Sequence, residues 1–219
     1  MANHQLEKFL ERNKRSLENH HAPPLLKDIV SVRPKTASTC ILTCSDARVD
    51  PHRYFGLEIG EALVIRNAGA RAKDSFRSLE VMGTINPIGL IVVVHHTDCG
   101  GLFTTDNEVR SRLSNRAPAH AAAIEEKWFG TFRDIGIDES IRQDVEEIRK
   151  WPFLPAETQI VGCALDIETG AVRTVEACDD QLFRSGLNMQ FVSCALKGLC
   201  WAISLSELGQ MASLGRIDG

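Results

Sequence analysis

The sequence predicts an α/β protein in which a mostly parallel central sheet is flanked by helices and closed by a C-terminal antiparallel hairpin. Three observations predict it. Short apolar runs, Thr39-Cys40-Ile41-Leu42-Thr43, Ala62-Leu63-Val64-Ile65-Arg66 and Leu90-Ile91-Val92-Val93-Val94, read as strands buried on both faces. Segments of helical texture separate them, which is the rhythm of strand-helix-strand units. After a fourth run, Asp166-Ile167-Glu168-Thr169-Gly170 reads as a turn that sends the chain back antiparallel through Val175.

The elements follow in order. Leu6, Phe9, Leu10 and Leu17 share one face of an amphipathic helix over residues 5–20, which ends before Pro23-Pro24 because proline cannot continue the backbone ladder. A polar connector through Pro34 leads to the first strand, Ser38 to Cys44. Asp50-Pro51 then opens a short helix, with Asp as cap and Pro at the position whose amide has no partner to lose. Strand two is Ala62 to Arg66. Asp74 or Ser75 caps a helix carrying Phe76, Leu79, Val81, Met82 and Ile85, which stops near Asn86-Pro87 and feeds strand three, Leu90 to Val94. Helical texture returns between Thr104 and Lys150. Asp106-Asn107-Glu108 opens one segment, Pro118 another, and Asp138-Glu139-Ser140 a third that runs to Lys150. Strand four spans Thr158 to Ala164. Residues 1–176 are expected to form a single domain, and 177–219 a C-terminal extension with no assigned role. Val192, Leu196, Leu199 and Ile203 lie at helical spacing there, as in a helix that packs on the body or on another subunit. Asn188, Gln190 and Lys197 interrupt that stretch, so no membrane span is expected.

Bulk composition narrows the function classes. A chain of 219 residues buries about 70% of its unfolded surface without disulfide support. Seven cysteines and no amino-terminal apolar run fit a reducing, cytoplasmic setting. A net charge of −4, with Lys and Arg interleaved among Asp and Glu, offers no basic stripe for nucleic acid.

The chemistry concentrates in two runs, Thr43-Cys44-Ser45-Asp46-Ala47-Arg48 and His95-His96-Thr97-Asp98-Cys99-Gly100-Gly101. Each follows an apolar strand directly, so both sit at carboxyl ends of strands, where open α/β sheets place their sites. Cys44, His96 and Cys99 form the donor set of a catalytic zinc, with three protein ligands and a fourth position left for water or substrate. His-x-x-Cys lets two donors converge from one turn, whereas Cys44 comes from another strand, so the site exists only after folding. One zinc per chain would bring a bound water toward a pKa of about 7. Thiolate ligands, donating more charge than imidazoles, should leave that value somewhat higher. Asp46 and Arg48 follow Cys44 in the same loop. A carboxylate bonded to a guanidinium can orient a zinc-bound hydroxyl, or can itself ligate zinc when Arg48 turns away.

Together with Val64-Ile65-Arg66-Asn67-Ala68-Gly69, these runs resemble the β-class carbonic anhydrase family in order and spacing, from Leu6 to Val175. The resemblance implies a zinc enzyme that hydrates carbon dioxide reversibly to bicarbonate by a zinc-bound hydroxide, working as a homodimer or higher homo-oligomer. It implies Cys44, His96 and Cys99 as metal ligands, and Asp46 and Arg48 as the catalytic carboxylate-arginine pair. Ala47 stands where many members carry Ser, and Ala68-Gly69-Ala70-Arg71 replaces a run with two glycines. The likeness is to a short, divergent branch that also includes carbonyl sulfide and carbon disulfide hydrolases. Carbon dioxide is therefore the first expected substrate and carbonyl sulfide or carbon disulfide the alternative.

Other residues carry weaker expectations. Strand alternation turns His95 away from the metal, as a satisfied buried histidine or a proton shuttle, and His52 invites the same two readings. Cys40 and Cys163 read as core. Gly100-Gly101 allows close approach or positive φ, with amides facing an anion. Arg66 and Asn67 line the pocket or bond across the sheet; Ile65, Ala68, Leu102 and Phe103 are expected lining. A zinc alcohol dehydrogenase would need a Gly-x-Gly-x-x-Gly run, and none occurs. A non-catalytic zinc or redox module would need closure by a fourth ligand such as His95, Cys40 or a tail cysteine.

Overall fold

The structure is a computed structural model that describes residues 2–27 and 37–175. The expected connector through Pro34 falls largely, and the 177–219 extension wholly, outside the described residues. Five strands form one sheet: β1 (Ser38–Cys44), β2 (Leu63–Asn67), β3 (Ile88–His96), β4 (Gln159–Leu165) and β5 (Val172–Val175). Their spatial order is β2-β1-β3-β4-β5, parallel through the first four and antiparallel at the last pair. The α-helices are α1 (Ala2–Ser16), α2 (Pro51–Tyr54), α3 (Phe76–Ile85), α4 (Asp106–Arg116), α5 (Ala121–Glu125) and α6 (Gly136–Arg149), with short 3₁₀ turns between elements. The predicted class holds.

Both faces of the sheet are apolar because successive side chains on a strand alternate. Cys40 and Leu42 of β1 and Ile91 and Val93 of β3 meet Leu79 of α3 and Ile141, Val145 and Ile148 of α6. Ile41, Val92, Val94, Cys163 and Leu165 point the other way and pack with Val49, Tyr54 and Phe55 around α2. Cys40 and Cys163 are thus buried core residues, and burial pushes their thiols up, to about 12 and about 11.

Several boundaries differ from the sequence reading for local reasons. β3 runs on to His96 because β4 supplies ladder partners up to the pair His96 and Leu165. The N-terminal helix ends at Ser16 and a 3₁₀ turn, Leu17–Asn19, completes the predicted span. Asp50 caps α2 as expected, accepting from the His52 amide at 3.1 Å. Thr105, one residue earlier than the predicted opening, caps α4 in a reciprocal box with Glu108. Ser75 precedes α3 without a side-chain cap and instead donates to the Ala72 carbonyl at 2.6 Å. Among the described residues no helix is long and apolar enough to cross a membrane.

Strand order decides where a site can form. β2 lies on one side of β1 and β3 on the other, so the connections leave the carboxyl ends of β1 and β3 in opposite directions and open a crevice between them. β4 sets how closely α6 can approach the sheet. A methyl group on Gly162 would overlap the Ile141 side chain and stand 3.2 Å from Val145. Gly162→Ala should therefore lower stability by about 1–3 kcal/mol through overpacking. Urea unfolding at unchanged slope would measure it, and an unaltered midpoint would show that α6 is not seated this tightly.

Candidate metal centre

Cys44 ends β1, and His96 ends β3 with Cys99 one turn later. The three side chains converge at the crevice with all donor atoms within 4.8 Å of one another, and each residue is buried. The sulfurs of Cys44 and Cys99 stand 3.8 Å apart. That is far beyond a disulfide. It matches two thiolates that are each about 2.3 Å from one tetrahedral zinc, which places sulfurs about 3.8 Å apart. His96 places Nδ1 2.8 Å from the Thr97 carbonyl, which can only accept, so the ring proton sits on Nδ1 and Nε2 keeps its lone pair. Nε2 is buried and has no hydrogen-bond partner. An orphaned imidazole nitrogen facing two sulfurs is what a divalent soft-to-borderline cation requires.

The sulfurs share one proton unequally. The Cys99 thiol donates to Cys44, and the Asp46 and Gly69 amides also favour its thiolate, so Cys44 titrates well below the ordinary thiol range. The thiolate beside it pushes Cys99 well up. A bound cation would take the place of that proton. Among the described residues no fourth donor joins the cluster. Cys40 lies in the sheet core and His95 on the opposite side, so neither closes the site in the way the non-catalytic reading needs.

Asp46 and Arg48 form the expected pair. Arg48 donates from Nε and Nη2 to the two carboxylate oxygens at 3.0 and 2.7 Å, and its backbone amide bonds Oδ1 at 2.9 Å. These bonds hold the Asp46 carboxyl well below the usual carboxylate range and favour its ionised form. Asp98 was not singled out in the sequence, yet its carboxylate and carbonyl both accept from Arg48, at 2.6 and 2.9 Å.

The surroundings explain how the loops keep this shape. Arg66, left open between lining and cross-sheet bonding, donates to the carbonyls of Cys44, Asp46 and Val49 and so lashes the first loop down. Asn67 bonds both the amide and the carbonyl of Arg71. Gly101 is the glycine that matters. A methyl there would lie 2.5 Å from the Phe132 ring, although neither Gly100 nor Gly101 takes the positive φ allowed for them. Phe132 is the residue sequence reasoning missed: it packs with Cys44, Cys99, Leu102 and Ile137 as the apolar backing of the sulfurs. Of the expected lining only Leu102 belongs there. Phe103 and Ala68 are exposed, and Ile65 packs in the core under α3 and α6, because strand parity turns it to that face. His52 is exposed and bonds the Leu57 carbonyl.

His95 points away from the metal donors, as alternation requires. It is 1% exposed and spans Ser140 at 2.8 Å and Asp144 at 3.0 Å on α6. Asp144 also faces Arg71 at 3.3 Å and accepts from the Ala72 amide. This is an internal tie between the ligand strand and α6.

Fold and site together define an open α/β protein with a Cys-His-Cys metal-type centre at the switch point of its parallel sheet. The family model described as carbonic anhydrase matches residues 39–172. The chain belongs to the β-carbonic anhydrase family. It is 34% identical over 143 residues to β-carbonic anhydrase 1 of Mycobacterium bovis, covering 65% of this chain and 84% of that one. It is 31% identical over 159 residues to a carbon disulfide hydrolase of Acidianus sp., covering 64% and 78%. A crystal structure of carbonic anhydrase from Streptococcus mutans superposes with a TM-score of 0.66 at 31% identity, over 78% of this chain and 97% of that one.

Asp144→Ala would leave Arg71 buried beside a vacated position. Stripping one partner from a buried pair costs about 3–5 kcal/mol, read as a lowered urea midpoint; a loss under about 1 kcal/mol would mean that the tie contributes no more than a surface pair.

Proposed function

We propose that this chain is a zinc enzyme that interconverts carbon dioxide and bicarbonate, with Cys44, His96 and Cys99 holding one zinc ion and Asp46 and Arg48 as its catalytic residues. The observation that carries the reading is the orphaned Nε2 of His96 facing two sulfurs 3.8 Å apart, beside a carboxylate held by arginine. Two thiolates would neutralise a divalent cation, leaving a centre with no formal charge. Bound there, zinc supplies Lewis acidity that makes water nucleophilic near neutral pH and stabilises charge developing on the substrate oxygen.

The remaining work falls to the protein's own groups. Asp46, ionised and held through both oxygens, accepts a hydrogen from the attacking water and so directs a lone pair at the substrate carbon. Arg48 keeps Asp46 in that role and away from the metal donors. Phe132, Leu102 and Ile137 shield the sulfurs from water, which strengthens every charge interaction at the centre. A second reading, hydrolysis of carbonyl sulfide or carbon disulfide, draws support from the relative named carbon disulfide hydrolase. The same attack on a linear carbon serves both readings, and only the pocket must accept sulfur.

Assembly as a homodimer or larger belongs to the same reading. Leu6, Phe9, Leu10 and Leu17 on and just after α1 are each more than half exposed, an apolar stripe that a second copy of the chain would cover. Sedimentation equilibrium is expected to give at least twice the 24.2 kDa chain mass; a monomer would count against this.

Cys44→Ala and Cys99→Ala should each abolish stoichiometric zinc. Asp46→Ala should keep most of the zinc and lose at least about a hundredfold in kcat/KM. Full activity in Asp46→Ala would sink the assignment. On the parent protein, with zinc quantified, paired rates decide the substrate. Fast carbon dioxide hydration with little sulfide release supports the first reading, and the reverse supports the second. Stoichiometric zinc with neither activity would refute both.

A further inference from the structure

Asp98 lies between two proposed metal ligands, His96 and Cys99, but its side chain faces the other loop. Its backbone has φ 54°, one of two described non-glycine residues at positive φ. That conformation costs on the order of 1–3 kcal/mol in a non-glycine residue, although Asp and Asn tolerate it better than most. At this strained position, both the carboxylate and the carbonyl of Asp98 accept from Arg48. The guanidinium therefore faces two carboxylates at once. Nε and one hydrogen of Nη2 serve Asp46, while Nη1 and the other hydrogen of Nη2 serve Asp98.

The geometry matters because of what each bond restrains. Arg48 shares a loop with Asp46, and its side chain is about half exposed, so one bidentate pair would leave it free to swing out into solvent with little loss. The Asp98 bonds come from the β3 loop and pin the far edge of the planar fork. With that edge fixed, Nε and Nη2 are presented to Asp46 in one orientation. We propose that Asp98 is a positioning residue that clamps Arg48 across the two ligand loops and thereby keeps the Asp46 carboxylate off the metal position.

Without the clamp, Arg48 leaves Asp46 more often, and a free carboxylate two residues from Cys44 competes for the open position. The proposal rests on the zinc reading above, so its test separates the two. Asp98→Gly removes the side chain and suits positive φ, and Asp98→Asn keeps the shape and the backbone while removing the charge. Cobalt-substituted protein would be titrated with thiocyanate, an anion that occupies an open metal position, and followed by its visible spectrum. If the competent fraction falls to about a third, apparent affinity weakens about threefold, because it scales with that fraction. Asp98→Gly should weaken thiocyanate binding at least about threefold, with cobalt stoichiometry unchanged and Asp98→Asn intermediate. In the zinc enzyme kcat should fall with KM nearly constant.

Parent-like thiocyanate binding in both variants would overturn the clamp, and so would loss of cobalt from both, since Asp98 would then support the ligand loop itself. Full recovery by Asp98→Gly would mean that only the backbone turn matters. A parent protein that takes up no cobalt or zinc would instead refute the metal reading.

Discussion

The parallel pairing of β1 with β3 is the constraint on which the rest of the molecule depends. It aligns Thr43 with Val94, so Cys44 leaves its strand beside the last two residues of β3. Donors about fifty positions apart in the chain thereby meet at one crevice. Because β2 lies outside β1 and β4 outside β3, no neighbouring strand fills that crevice. Everything polar at the site hangs from these two strand ends. The same pairing separates the two adjacent histidines: His96 turns to the sulfurs, and His95 turns into the α6 face, where Nδ1 pairs with Ser140 and Nε2 faces the Asp144 carboxylate.

Charge at the crevice is arranged so that the carboxylates are held by arginine and apart from the two sulfurs. Two sulfurs, Asp46 and Asp98 all lie within the two loops, and mutual repulsion would splay them if nothing intervened. Arg48 takes the carboxylates. Arg66 takes three carbonyls of the first loop and prevents its backbone from relaxing toward solvent. Arg71, buried against Asp144 with its guanidinium over Trp128 and Phe132, anchors the segment that follows β2. Arg48 and Arg66 thus restrain the loop after β1, and Arg71 the segment after β2.

The sheet and the runs that bring Cys44, His96 and Cys99 together were legible in the sequence because each run is a local signal. Apolar runs of strand length bounded by turn residues need no tertiary information, and a His-x-x-Cys spacing puts two donors on one turn wherever it folds. Asp98 was illegible because its importance comes from a partner fifty residues away, with nothing in the run His96-Thr97-Asp98-Cys99 to mark which way its carboxylate faces. Phe132 was missed for a similar reason. It sits in a stretch that reads only as helical texture, and tertiary packing alone carries it under the sulfurs. The lining expected at Ile65 failed on parity alone, since a residue two before the strand end shares the face of the core, not of the crevice.

How Phe132 reaches its place shows why the loop around it is built as it is. The carboxylate of Asp106, in the first turn of α4, accepts from the Phe129 and Thr131 amides and from the Thr131 hydroxyl. Those bonds curl the segment at Gly130, whose φ of 67° suits glycine, and the Phe132 amide then donates to the Gly101 carbonyl at 2.9 Å. The ring is delivered between His95 and the two sulfurs, 5.2 Å from the imidazole centroid. A bulkier residue at position 101 would collide with it, so the glycine after the ligand loop answers to the ring rather than to backbone conformation. The apolar wall behind the thiolates and the hydrogen-bonded loop in front of them are therefore one construction.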